Sequence, residues 1–146
     1  EILAENTVID ICGEKTLILH GDALCTSDID YQNFRSKVRN PQWQKKMLGY
    51  PLWLRKTIAL YLRKRSRKAN ANKAENILDV DALAVEQAFR RHGLTRMIHG
   101  HTHRPARHSL VVDEQACERI VLGDWDNNAW YLKADANGLD LVKRPL

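Results

Sequence analysis

The chain has 146 residues, 44% of them hydrophobic and 28% charged, with a formal net charge of +5. That is enough for one domain with a real core, and no apolar run approaches the ~20 residues that a membrane-spanning helix needs. Three cysteines, Cys12, Cys25 and Cys117, have no motif spacing and an odd count, which points to free thiols in a reducing compartment rather than a disulfide framework.

The chain opens on Glu1-Ile2-Leu3, with neither an initiator Met nor a charged leader, and reads as a strand by Val8. It is therefore expected to be part of a longer protein. Residues 7–11 and 16–19 are β-branched or aliphatic runs separated by Gly13-Glu14-Lys15, which predicts a hairpin ending at His20-Gly21-Asp22. Ser27 or Asp28 can cap a helix over 29–38, with Tyr31, Phe34 and Val38 along one side. Pro41 suits the first turn of a second helix carrying Trp43, Met47 and Leu48. Pro51 opens a third, with Leu54, Ile58, Tyr61 and Leu62 as its apolar stripe, and the Ala-rich stretch 69–74 keeps the chain helical. A further helix runs through Val80, Leu83, Ala84, Ala88 and Phe89 to a stop at Gly93.

The positive charge is concentrated. Arg55, Lys56, Arg63, Lys64, Arg65, Arg67, Lys68 and Lys73 occur with no acid among them. Such a patch favours an anionic partner: phosphate, nucleic acid or an anionic membrane face.

From Leu94 the period changes to that of strands, read at 96–99, 109–112, 119–122, 129–134 and 139–142. Turn signals stand at Asp126-Asn127-Asn128 and Asn137-Gly138. Strands, a helical block and strands again predict a layered α/β fold with a helical insertion between its β segments.

The densest chemical cluster is His99-Gly100-His101-Thr102-His103-Arg104-Pro105. Imidazole is the commonest metal ligand among side chains that titrate near neutrality. Histidines at i and i+2 point the same way if the chain is extended, so His101 and His103 can converge on one ion or on two adjacent ones. A lone His-x-His is more often a surface loop, but the preceding apolar strand, Gly100 and the following Arg-Pro favour a metal. His20 ends a strand beside a glycine, where an open α/β sheet presents ligands. Alone it is equally well a hydrogen-bonded edge histidine.

Two histidine positions far apart in sequence, both at strand ends, resemble the calcineurin-like metallophosphoesterases. The strings Leu19-His20-Gly21-Asp22, Leu24-Cys25-Thr26, Ile98 to Pro105 and Val121-Leu122-Gly123-Asp124-Trp125 resemble one branch of that family. Its members cleave the pyrophosphate of a UDP-linked diacylated glucosamine during lipid A assembly, and the likeness runs over essentially all 146 residues. The resemblance implies the second half of a layered α/β/β/α sandwich, spanning 1–146, with a helical lid at 28–73 that binds acyl chains. It implies His20, His101 and His103 as ligands of two Mn²⁺ ions, with His101 also against the substrate phosphate. Asp28, Ser66, Asn70 and Lys73 match positions that contact substrate.

Ser66, Asn70 and Lys73 stand at i, i+4 and i+7, one face of one helix, where they can grip a phosphorylated sugar or simply meet solvent. Asp28 is a helix cap that can also serve substrate, and Asp22 can orient His20. The family's first half, with Asp-x-His and the segments that supply a bridging aspartate and an asparagine ligand, has no counterpart here; it is expected in a missing N-terminal portion. Aromatic and aliphatic side chains amid the basic residues of 28–73 suit an acyl groove or an anionic membrane surface, hence a peripheral place on the cytoplasmic face of the bacterial inner membrane. A metallophosphoesterase of other specificity shares the metal site. A nucleic-acid-binding module fits the basic run, but leaves the histidines without a role, so no nucleic-acid partner is expected.

Overall fold

A computed structural model describes residues 3–70, 79–136 and 138–146, with backbone alone for 68–70. The chain forms two compact units, Glu1–Leu24 with Val80–Leu146, and Cys25–Asp79. Of the helical stretch read at 28–73, residues 28–70 fall inside the second, and 71–73, like 71–74 of the Ala-rich stretch, lie outside the described residues. The α/β class expected from the sequence is the class observed.

The first unit is built on a five-stranded sheet. Strands β1 (Thr7–Ile11) and β2 (Glu14–Leu19) form an antiparallel hairpin, and β2 then pairs in parallel with β3 (Arg96–His99). A parallel neighbour requires a long crossover. Here that crossover carries a 3-10 turn at Asp22–Leu24, the whole second unit and helix α4 (Ala82–His92). After β3 the chain runs out to the sheet edge as β4 (Ala106–Val112) and returns as β5 (Gln115–Val121) between β4 and β3. The order is β1-β2-β3-β5-β4, and the three central strands β2, β3 and β5 are mutually parallel. A separate antiparallel pair, β6 (Asn128–Asp135) and β7 (Gly138–Pro145), completes the unit.

Period-2 alternation gives the sheet two apolar faces. Leu17, Leu19, Met97, Val112 and Cys117 pack with Val85 and Phe89 of α4. Ile18, Ile98 and Ile120 pack with Leu132 and Leu139 of the β6–β7 pair. Burial pushes the Cys117 thiol above its ordinary pKa. All three cysteines are free thiols, as the odd count predicted.

Asp81 caps α4 by accepting from Leu83 N at 3.0 Å, and Gly93 ends it in the left-handed conformation at φ 61°. Val80 packs against the core ahead of the helix rather than within it. The first hairpin turns on Cys12-Gly13, at φ 54° and 79°, not on Gly13-Glu14-Lys15. Two residues of positive φ are what a type I′ turn requires.

The second unit holds α1 (Ile29–Val38), α2 (Pro41–Leu48) and α3 (Leu52–Asn70). Asp28 caps α1, its Oδ1 accepting from Tyr31 N at 3.0 Å, and Asn40 caps α2, where Pro41 occupies the first turn. Along α3, Leu54, Ile58 and Leu62 are half-buried at helical spacing, whereas Tyr61, which the sequence placed on the same stripe, is exposed. No helix among the described residues is long and apolar enough to cross a membrane.

Candidate metal centre

The register of the parallel strands brings the histidine segments together. Leu19, His99 and Val121 lie in one row across β2, β3 and β5, so His20, Gly100 and Leu122 follow at the same sheet edge. Pairing continues past the strands: Gly100 N donates to the His20 carbonyl at 3.1 Å, and Leu122 N to that of His99 at 2.7 Å. Three loops, after β2, β3 and β5, therefore share the carboxyl end of the sheet, where open α/β sheets place their ligands.

The rings of His20 and His101 lie with centroids 5.0 Å apart, tilted by 58°. Asp22 Oδ1 is 3.1 Å from His20 Nδ1, the carboxylate 3% exposed and the ring 56%. His103 Nδ1 is 3.1 Å from Asp124 Oδ2, a pair that is half exposed on both sides. At His20 the Asp22 carboxylate stands at ion-pair distance from Nδ1 without a hydrogen bond between them; at His103 the Asp124 carboxylate on Nδ1 holds the proton there and leaves Nε2 as the basic nitrogen. That is the arrangement metal-bound imidazoles use.

The loop after β3 is not extended, as the i, i+2 argument had required. His101 and His103 both take the left-handed conformation, at φ 68° and 53°, with Thr102 N donating to the Gly100 carbonyl at 2.9 Å. The backbone coils, so His101 stands against His20 while His103 meets Asp124 of the β5 loop. The Thr102 hydroxyl is buried with no hydrogen-bond partner among the described residues.

His99 is a different kind of histidine. It is buried at 1% exposure, beside the Gly100 carbonyl and Arg119 of β5.

As donors, His20, His101 and His103 suit a transition-metal ion, and the two carboxylates beside Nδ1 suit it further. No group of three or more His, Cys, Asp or Glu among the described residues is close enough together to hold an ion unaided. The residues thus fit a metal centre as part of its ligand set.

Of the residues matched to substrate contacts, Asp28 is a buried cap of α1 and Ser66 is exposed on α3. Asn70 ends α3 and its side chain, like all of Lys73, lies outside the described residues. Asp124 was within a quoted motif but was given no role by the sequence reading. The signal was available: an acid directly after a glycine just beyond a strand, the same Gly-Asp pair that follows His20 as Gly21-Asp22.

No family model matches the chain. Among curated proteins, it is 51% identical to a UDP-2,3-diacylglucosamine hydrolase of Cellvibrio japonicus over 140 residues, 96% of this chain and 58% of that protein. Proteins of the same name from Yersinia pseudotuberculosis and Yersinia pestis are 48% identical over 144 residues, 99% of this chain and 60% of theirs. The resemblance read from the motifs is borne out by these relatives. The chain spans about 60% of the length of the curated relatives it matches.

Proposed function

We propose that the chain is part of an enzyme that hydrolyses the pyrophosphate bond of UDP-2,3-diacylglucosamine, releasing UMP and 2,3-diacylglucosamine 1-phosphate for lipid A synthesis. The observation that carries this reading is the pairing of His20 with His101 at the carboxyl end of three parallel strands. It occurs in a chain 48–51% identical to hydrolases of that name.

On this reading His20, His101 and His103 hold part of a two-ion Mn²⁺ centre. Bound Mn²⁺ supplies Lewis acidity toward phosphoryl oxygens and lowers the pKa of a water. Asp124 keeps the Nδ1 proton of His103 in place and so presents its Nε2, and Asp22 stands as a charge partner beside His20 Nδ1. His101 also lies against the substrate phosphate. The remaining ligands come from the length of such proteins that this chain does not span.

Asp28, Ser66, Asn70 and Lys73 contact the UDP-sugar. The helical unit takes the acyl chains and an anionic membrane surface. In favour of this, Ile29, Leu48, Leu52, Trp53, Leu60 and Tyr61 are exposed on its helices, and α3 carries exposed basic residues as well. The site of action is then the cytoplasmic face of the bacterial inner membrane.

The test is UMP release from UDP-2,3-diacylglucosamine by the full-length protein, with and without chelator, and by His101→Ala. Chelation should abolish turnover and Mn²⁺ restore it, and the variant should lose more than about 100-fold in kcat. Turnover insensitive to both would overturn the reading.

A further inference from the structure

His99 belongs to none of the roles assigned above, yet it lies against the glycines that flank the two paired histidines, Gly21 after His20 and Gly100 before His101. Its Nε2 lies 3.0 Å from an Nη1 of Arg119, and its Nδ1 lies 2.9 Å from the Gly100 carbonyl. A guanidinium can only donate and a carbonyl can only accept. Nε2 therefore accepts from Arg119, and Nδ1 carries the proton and donates it to Gly100. The tautomer follows from its two neighbours.

The same ring is the surface against which the β2 loop rests. A Cβ at Gly21 would fall 2.7 Å from His99 Nδ1 and 2.9 Å from the Gly100 oxygen, and Gly21 itself stands at φ +105°. Any larger residue would force the loops apart. Gly100 closes the joint from the other side through its N–H to the His20 carbonyl. One buried imidazole thus sits between the residue after His20 and the residue before His101.

We propose that His99 is a positioning residue, which, oriented by Arg119, fixes the Gly100 carbonyl and thereby the separation of His20 from His101. The inference rests on the metal-centre reading for its purpose, while the loop geometry it predicts does not need a metal. The conformation at Gly100 sets where the left-handed turn at His101 begins. The Gly100 oxygen also accepts from Thr102 N, so releasing it loosens the turn at both ends.

The experiment compares His99→Leu, His99→Asn and Arg119→Met in the full-length protein. Asn carries an amide N–H at the place of Nδ1; Leu fills the space without a donor. In chelated protein, amide hydrogen exchange at Gly100 and Thr102 should rise by about 10-fold or more in His99→Leu, with β6 and β7 unchanged. Affinity for Mn²⁺, read from the free-ion resonance signal, should fall by about 10- to 100-fold. His99→Asn should recover most of both. Arg119→Met, which leaves the buried ring in place, should shift both in the same direction by less, and it decides the matter should His99→Leu fail to fold. Wild-type exchange and affinity in His99→Leu, or an Asn variant as impaired as the Leu one, would overturn the proposal and show a ring that merely fills the core. A wild-type protein that hydrolyses no UDP-diacylglucosamine, with the exchange pattern as expected, would sink the functional reading and leave the positioning role standing.

Discussion

Asp22 and Asp124 each place a carboxylate oxygen 3.1 Å from a histidine Nδ1, as a hydrogen bond for Asp124 and at ion-pair distance for Asp22, in opposite surroundings. Asp22 is almost fully enclosed, whereas Asp124 is half exposed and shares its field with water. Exposed ion pairs contribute roughly 0–1 kcal/mol, because solvent screens them and long side chains lose entropy in forming them. A carboxylate removed from water interacts with its partner in a lower dielectric, and is correspondingly more effective at fixing a ring's tautomer and orientation. If the histidines bind Mn²⁺, Asp22→Asn should weaken affinity by about 10- to 100-fold and Asp124→Asn by less than about 10-fold. Titrating Mn²⁺ into metal-free full-length protein measures both. Equal losses would mean that burial does not govern how these acids serve their histidines.

At the scale of elements, the turn between β4 and β5 is the least comfortable part of the sheet. Asp113 and Glu114 both have positive φ, 50° and 66°, in the two residues linking Val112 to Gln115. The right-handed strand twist favours such a type I′ turn, but it suits Asn-Gly or Asp-Gly, and a glutamate there carries strain of about 1–2 kcal/mol. Glu114→Gly relieves that strain, partly offset by the greater conformational entropy that a glycine gives the unfolded chain. It should raise stability by about 0.5–1 kcal/mol, seen as a higher midpoint in urea denaturation. An unchanged or lower midpoint would contradict it. This turn also shows where sequence reading stops. Helix caps such as Asp28 and Gly93 were legible because the cap, its partner and the apolar period lie within a few residues. Turns that force ordinary residues into left-handed backbone, at Cys12, His101, His103 and Glu114, carry no local signature, since the strand pairing around them imposes the conformation. The start of β4 at Ala106 was missed for the same reason. Arg107 and His108 are polar and exposed, and only their pairing with Ile120 and Arg119 makes them strand. Of the metal centre, the residue types and strand ends were readable. The coiling that sends His101 to His20 and His103 to Asp124 was not.

For the whole molecule, the proposed contact with a membrane rests on the distribution of charge and apolar surface. Helix α3 exposes Leu52, Trp53, Leu60 and Tyr61, and on the same helix Lys56, Arg63, Lys64, Arg65 and Arg67 are exposed. Near an anionic bilayer each such cation contributes about 1 kcal/mol of attraction, which dies away within a Debye length of about 8 Å at physiological salt. Apolar insertion, by contrast, is not screened; burying a large side chain in the interface contributes about 1.5–3 kcal/mol at any ionic strength. The two terms can be separated by flotation of the full-length protein with vesicles. With phosphatidylglycerol-containing vesicles at low salt the protein should float, and with purely zwitterionic vesicles it should bind much less. Raising salt to about 0.5 M should release Trp53→Ser/Leu60→Ser protein completely but leave part of the wild type bound, because only the wild type retains the unscreened term. Lys64→Glu/Arg65→Glu should lose binding at low salt first. Protein that stays wholly in solution with anionic vesicles at low salt would remove the membrane surface from the proposed function, and the exposed aromatic and aliphatic residues of α3 would then have to be assigned to the acyl chains of the substrate alone.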